Sequence, residues 1–330
     1  MKLASLRSGR DGELLVVSRD LSRAVNAAPA ARTLQQALDD WDVISPRLEA
    51  LYAALNAGHV GDSFTLEYDK LAAPLPRSYQ YLDGAAYISH IRRNRAARGE
   101  ALPDDLYEKP LVYQGISHGF LGWNEDVVLP ADDLGIDFEA EIAALTGDVP
   151  MGVSPDNASS TIRLFVLLND VSLRAIIPGE LKRTFGFLTG KPASSMGPIA
   201  VTPDELGDLW DGKLVSGTMH CWVRGEQVGR IETGIDTPFH YGDLIAHVAR
   251  TRAFEPGTVV GLGTVSNEDE SAGCGCIGEI RALETIRDGN PTTPLFSFGE
   301  RVKIDHRDRN GHSVFGCIDQ RFVAPAHRPV

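Results

Sequence analysis

Glu139 and Glu141 stand two apart in Gly135-Ile-Asp-Phe-Glu-Ala-Glu-Ile-Ala-Ala-Leu145, a stretch that alternates apolar and acidic residues. Ile136, Phe138, Ala140 and Ile142 share one side; Asp137, Glu139 and Glu141 share the other. Period-two alternation marks a half-buried strand, on which residues i and i+2 point the same way, roughly 7 Å apart. Two carboxylates that close repel unless solvent or a cation separates them. On an open strand they are a wet outer face. In an enclosed site they suit a hard divalent cation, which takes oxygen ligands.

The elements that must position such a pair fall into two predicted units. Residues 1–75 read as a small α+β N-terminal domain. It has a strand at 14–18 after an Arg-Asp-Gly turn and an amphipathic helical pattern over 34–57 interrupted at Pro46; Ala73-Pro-Leu-Pro76 closes it. Residues 76–330 read as a second, larger domain, strand-rich with Gly-rich turns. Strands are predicted at 112–116, 136–145, 198–202, 218–223, 258–265, 277–285, 299–305 and 313–319. Helices are predicted at 156–168, opened by Ser154-Pro155, at 203–210 and at 240–252. The fold class is therefore mainly β with some α, a sandwich or rolled sheet.

Composition narrows the function classes. Lys and Arg number 32 against 45 Asp and Glu, a net charge of −13 without long single-sign blocks. That balance argues against an electrostatic nucleic-acid or anionic-membrane binder. Four cysteines, Cys221, Cys274, Cys276 and Cys317, lack the paired spacing of a structural zinc site. With no signal-peptide pattern at the start and no membrane-length apolar run, a cytoplasmic location is expected.

Several motifs fail on inspection. Gly261-Leu-Gly263 is not a dinucleotide fingerprint, and Phe185 occupies the first glycine position of a phosphate loop ending at Gly190-Lys191. No G-x-S-x-G supports serine hydrolysis. His220-Cys221 with His240 reads as buried structural chemistry or zinc, and Arg92 to Arg98 as a solvated basic helix face or a cap for an anion.

Six short motifs occur in order: Asp83-Gly-Ala-Ala-Tyr-Ile-Ser-His90; Glu139-x-Glu141; Asn169-Asp170-Val-Ser-Leu-Arg174 after the apolar run 162–168; Phe187-Leu-Thr-Gly-Lys191-Pro; Gly263-Thr264-Val-Ser; and Cys276-Ile-Gly-Glu279. This series resembles the fumarylacetoacetate hydrolase (FAH) family, most closely its bacterial fumarylacetoacetase-like branch, over roughly residues 76–320. The N-terminal unit is typical of that branch.

The resemblance implies that residues 76–330 form the catalytic domain, a mixed β-sandwich roll, and it implies a set of roles. Asp83, Glu139, Glu141 and Asp170 match the metal ligands, an all-oxygen set for Mg2+, with Mn2+ or Ca2+ as alternatives. His90 matches the catalytic histidine and Glu279 its orienting carboxylate, together activating water. Lys191 and Arg174 match cations that hold the substrate carboxylate and the developing oxyanion, helped by Thr264. Tyr113 matches a substrate-contacting tyrosine, and Arg98 is an offset counterpart of a substrate-binding arginine. Stretch 88–108 is a candidate lid. Two positions depart from animal members: Ala85 replaces tyrosine and Ile177 replaces glutamine. The implied activity is hydrolytic C–C cleavage of a small-molecule 1,3-diketo acid, as when fumarylacetoacetate gives fumarate and acetoacetate in tyrosine catabolism. Alternatives on this scaffold are acylpyruvate or fumarylpyruvate hydrolysis, oxaloacetate decarboxylation, and hydration or isomerisation of an unsaturated 2-keto acid. A non-catalytic metal-binding protein is the reading from another class. A homodimer is implied as well.

Overall fold

The computed structural model describes residues 1–326. Ile162–Asn169 is a central strand of an eleven-stranded sheet, flanked by Ala140–Thr146 on one side and by Ser195–Met196 and Ala200–Val201 on the other. Beyond Ala140–Thr146 follow Val259–Gly261, Tyr81–Gly84 and Val112–Gln114; beyond Ala200–Val201 follow Lys2–Leu6, Glu13–Val17, Arg23–Asn26 and Phe64–Thr65. The N-terminal strands thus continue the sheet that carries Asp83 and Glu141, through the antiparallel pair Leu3 and Ala200.

A five-stranded sheet, Glu226–Glu232, Thr218–Val223, Arg301–Arg307, Ser313–Val323 and Val127–Val128, forms the second layer. Phe138 and Phe165 share a core with Phe315 and Phe322 of this layer. Helices Leu34–Asp39 and Trp41–Asn56 cover the other face of the large sheet, where Leu38 and Leu48 join Leu164, Val166 and Leu168 in a second core. The mainly β expectation holds: most of this mixed α/β fold is sheet.

Three local expectations are corrected. The run 162–168 is a strand, and the helix begun by Ser154-Pro155 ends at Ser159. A continuous apolar run fits a strand buried on both faces as well as a buried helix, and periodicity alone does not separate them. Conversely 277–285 is helical, within Ile277–Asp288, whose end is capped by Gly289 at φ +81°. The N-terminal helical pattern breaks at Asp40 rather than at Pro46, which sits exposed inside Trp41–Asn56 where the freed carbonyl can meet water. No helix of the described residues is long and apolar enough to cross a membrane.

Candidate active site

Strand Ala140–Thr146 is buried on both faces, and so are Ile136 to Glu139 before it. The acidic face is therefore enclosed. Glu141 points toward Asp83, although strand Val259–Gly261 runs between their two strands. Gly261 makes the meeting possible: a Cβ there would lie 2.2 Å from Asp83 Oδ1 and 2.9 Å from Glu141 Oε2. Two acids lean over one missing side chain. Glu139 and Asp170 complete the group; Asp170 follows the end of strand Ile162–Asn169, its N–H donating to the Glu139 carbonyl at 3.0 Å. Ligand atoms of Asp83, Glu139, Glu141 and Asp170 all lie within 4.8 Å of one another.

These four residues are compensated unequally. Glu139 accepts from Arg174 Nη2 and Lys191 Nζ, both at 2.7 Å. Burial alone would raise its pKa, but Lys191 and Arg174 hold it well below the usual carboxylate range. Asp170 accepts from Lys191 Nζ at 2.5 Å, the Tyr113 hydroxyl at 2.5 Å and the Ser194 hydroxyl at 2.7 Å. By contrast Asp83 Oδ1 and both oxygens of Glu141 are buried without a hydrogen-bond partner among the described residues. Burial and neighbouring carboxylates push Asp83 and Glu141 far above their ordinary values. Such orphaned oxygens cost free energy unless a proton or a cation meets them. The all-oxygen donors and the small cradle at Gly261 fit a divalent cation.

A second group lies beside the first. His90, on helix Ile88–Ala97, has Nδ1 2.7 Å from Glu279 Oε2 on helix Ile277–Asp288. Glu279 Oε1 also accepts from Arg93 Nη1 at 2.5 Å and Ser266 Oγ at 2.7 Å. Burial opposes ionisation of Glu279, yet the bonds from His90, Ser266 and Arg93 keep it ionised below the usual range. With Nδ1–H donating to Glu279, His90 Nε2 is the acceptor nitrogen; Asn94 Nδ2, which donates to the His90 carbonyl at 2.9 Å, sits over the ring, 3.4 Å from Nδ1 and 3.2 Å from Nε2. Cys276 lies near this pair, but burial pushes its thiol far up; its sulfur instead caps the Glu279 N–H at 3.3 Å.

A cavity of about 890 Å³ opens onto both groups. Asp83, Glu139, His90, Tyr113, Lys191 and Thr264 line it, together with Arg174. Thr264 is buried in its wall. Arg98 lies at its rim, paired through both nitrogens with Glu100 at 2.9 Å. Ala85 and Ile177, the two departures, also line it. The helix in the candidate lid covers only 88–97, with Ile88, Ser89, Ile91 and Arg93 buried. The structure brings together every residue singled out for the site, Arg98 at its edge.

Some contributors were missed. Arg93 counted only as part of a basic run, yet it is 4% exposed and bonds Glu279. Asp137 shares the acidic alternation but stays out of the cluster. Its carboxylate accepts from Ile277 and Gly278 N–H, at 2.8 and 2.7 Å, and from Arg174 Nε at 2.8 Å. Asp137 thereby caps the helix that carries Glu279. Its place in the Asp-x-Glu-x-Glu pattern was the only available signal.

Residues 80–323 match the family model described as fumarylacetoacetate (FAA) hydrolase C-terminal. The chain belongs to the fumarylacetoacetate hydrolase family. Residues 1–77 match fumarylacetoacetase N-terminal domain 2. A 2,4-didehydro-3-deoxy-L-rhamnonate hydrolase of Sphingomonas sp. (strain SKA58) is 32% identical over 161 residues, 47% of this chain and 53% of that protein. A mitochondrial oxaloacetate tautomerase of Homo sapiens is 30% identical over 186 residues, 55% of this chain and 54% of that protein. The match thus spans about half the length of these curated relatives. Among solved structures, maleylpyruvate hydrolase from Sphingobium sp. SYK-6, in complex with manganese(II) and pyruvate, superposes with a TM-score of 0.62 at 17% identity. The superposition covers 98% of this chain and 99% of that one. A 2-hydroxyhepta-2,4-diene-1,7-dioate isomerase from Mycobacterium marinum gives 0.62 at 17%, covering 99% and 100%. FAH-family proteins thus include hydrolases, isomerases and tautomerases, and the fold is theirs.

Proposed function

We propose that this chain is a metal-dependent hydrolase that cleaves a C–C bond in a 1,3-diketo acid. The observation that carries the reading is the His90–Glu279 pair, in the same cavity as the four-carboxylate cluster. Asp83, Glu139, Glu141 and Asp170 would hold the ion, Mg2+ being our choice. When bound, it would supply positive charge to the two substrate carbonyl oxygens and to the departing enolate.

The chain's own residues do the rest. Glu279 fixes the His90 tautomer, so Nε2 takes a proton from water as its oxygen adds to a carbonyl carbon. Lys191, with Arg174 behind it, faces the negative charge that grows on the attacked oxygen. The C–C bond then breaks to give a carboxylic acid, and the proton held on His90 passes to the carbanion carbon of the second fragment. Ala85 and Ile177 in the cavity wall favour a substrate other than fumarylacetoacetate itself, such as an acylpyruvate.

Oxaloacetate tautomerisation is the second reading, favoured by the human relative; it needs proton transfer without water addition. The two separate in one experiment. Each of several 1,3-diketo acids, and oxaloacetate, is incubated with Mg2+ in oxygen-18 water and the products are weighed by mass spectrometry. Cleavage with heavy oxygen in the new carboxylate supports hydrolysis. Loss of the enol absorbance with the carbon skeleton intact overturns it. A homodimer belongs to the proposal and is measured by sedimentation.

A further inference from the structure

Lys191 enters the carboxylate cluster from a loop with little of its own to hold it. After helix Ile177–Leu181 the chain runs exposed, with Phe185 fully so, and Thr184 takes a φ of +63°. One carboxylate gathers the end of this loop. Glu180 Oε1 accepts from the Thr189 N–H at 2.7 Å and its hydroxyl at 2.8 Å; Oε2 accepts from the Leu188 and Gly190 N–H groups at 3.0 and 3.2 Å. Four donors thus converge on one side chain.

Gly190 is seated on the other side too. Its carbonyl accepts from the Leu173 N–H at 2.8 Å, and a Cβ there would lie 2.8 Å from Ile177 Cγ1 and 2.9 Å from Glu180 Oε2. The next residue is Lys191, whose ammonium bonds both Glu139 and Asp170. Upstream, Phe187 packs edge-on against Tyr113 with ring centres 4.9 Å apart, and Tyr113 bonds Asp170. The residues on either side of the Leu188–Gly190 clamp therefore both end in the site.

We propose that Glu180 is a positioning residue for Lys191: its carboxylate fixes Leu188 to Gly190 so that the ammonium lies between Glu139 and Asp170. The assignment rests on the proposed function only for what Lys191 then does. Its test therefore begins without substrate. In the full chain supplied with Mg2+, lysine acetylation is followed residue by residue with mass spectrometry. Loss of the clamp in Glu180→Ala should speed labelling of Lys191 by ~10-fold or more, because four bonds to a charged group no longer oppose local opening. Thr189→Val, which loses one donor, should give a smaller rise and guards against failure of the first variant to fold. Labelling of Lys2, in the shared sheet, should not change. Turnover is then measured: kcat should fall in Glu180→Ala with KM less affected. Wild-type labelling of Lys191 in both variants overturns the proposal, as does a rise matched at Lys2. Faster labelling with unchanged kcat supports the clamp and refutes instead the catalytic part given to Lys191.

Discussion

The two halves of the carboxylate cluster are equally buried and differently finished. Glu139 and Asp170 meet Lys191, Arg174, Tyr113 and Ser194, all donors from the chain itself. Asp83 and Glu141 meet each other and no donor: three of their four oxygens have no hydrogen-bond partner among the described residues. The first half can stay ionised on its own. The second needs an outside positive charge or a proton, because a buried carboxylate without either is costly. The contrast marks where a bound cation would complete the fold and where the fold completes itself.

Four changes would break or sharpen this contrast. The largest effect lies next to both halves: His90→Ala should lower kcat by ~100-fold or more, as loss of a general base does. Cation affinity by calorimetry should stay near the wild-type value, and unchanged turnover would refute the role. Next, Gly261→Ala places a methyl 2.2 Å from Asp83 Oδ1. Overpacking should cost about 2 kcal/mol in denaturant melts, and added Mg2+ should raise the thermal midpoint less than in the wild type. A variant as stable and as responsive as the parent would remove Gly261 from the site.

Third, Glu141→Gln removes a charge from the bare half and should weaken Mg2+ binding by ~10-fold or more; a calorimetric titration at wild-type affinity would count against the ligand set. The smallest effect serves as a control outside the cluster. His306 is fully buried, and desolvation lowers its pKa from 6.5 to about 4. Its folded pKa lies below its unfolded one, so this contribution is complete above pH 6.5 and declines as pH falls toward 4. Between pH 7 and 5.5 the loss should be about 1 kcal/mol. His306→Gln should flatten that slope, and an unaltered acid slope would show His306 to be uninvolved.

How much was readable in the sequence differs by kind of residue. Asp83, Glu139, Glu141 and Asp170 sit in short motifs whose order carries the family resemblance, so their meeting was expected although 87 positions separate the first from the last. Helix against strand was less readable. Ile162 to Leu168 is apolar except for Arg163 and has no clear period, and only its neighbours in the sheet decide its form. Arg93, Asp137 and Glu180 were missed for another reason. Each is an ordinary charged residue whose partner is fixed by the fold: Glu279 stands 186 residues from Arg93, and Ile277 stands 140 from Asp137. No spacing rule links positions that far apart, and Glu180, whose partners Leu188 to Gly190 are only eight to ten residues on, meets them through an irregular loop that has no period to read.

The seam between Leu3 and Ala200 has a practical side. A polypeptide trimmed to begin near residue 76 would keep every proposed ligand and base. It would also leave the backbone of Ala200–Val201 without its strand partner and uncover the apolar side chains of Val166 and Leu168 now roofed by the helices of residues 34–56. An unguarded strand margin next to exposed aliphatic surface is a template for self-association. Such a fragment should therefore precipitate where the full chain stays dispersed, because the first 75 residues keep this sheet from recruiting strangers.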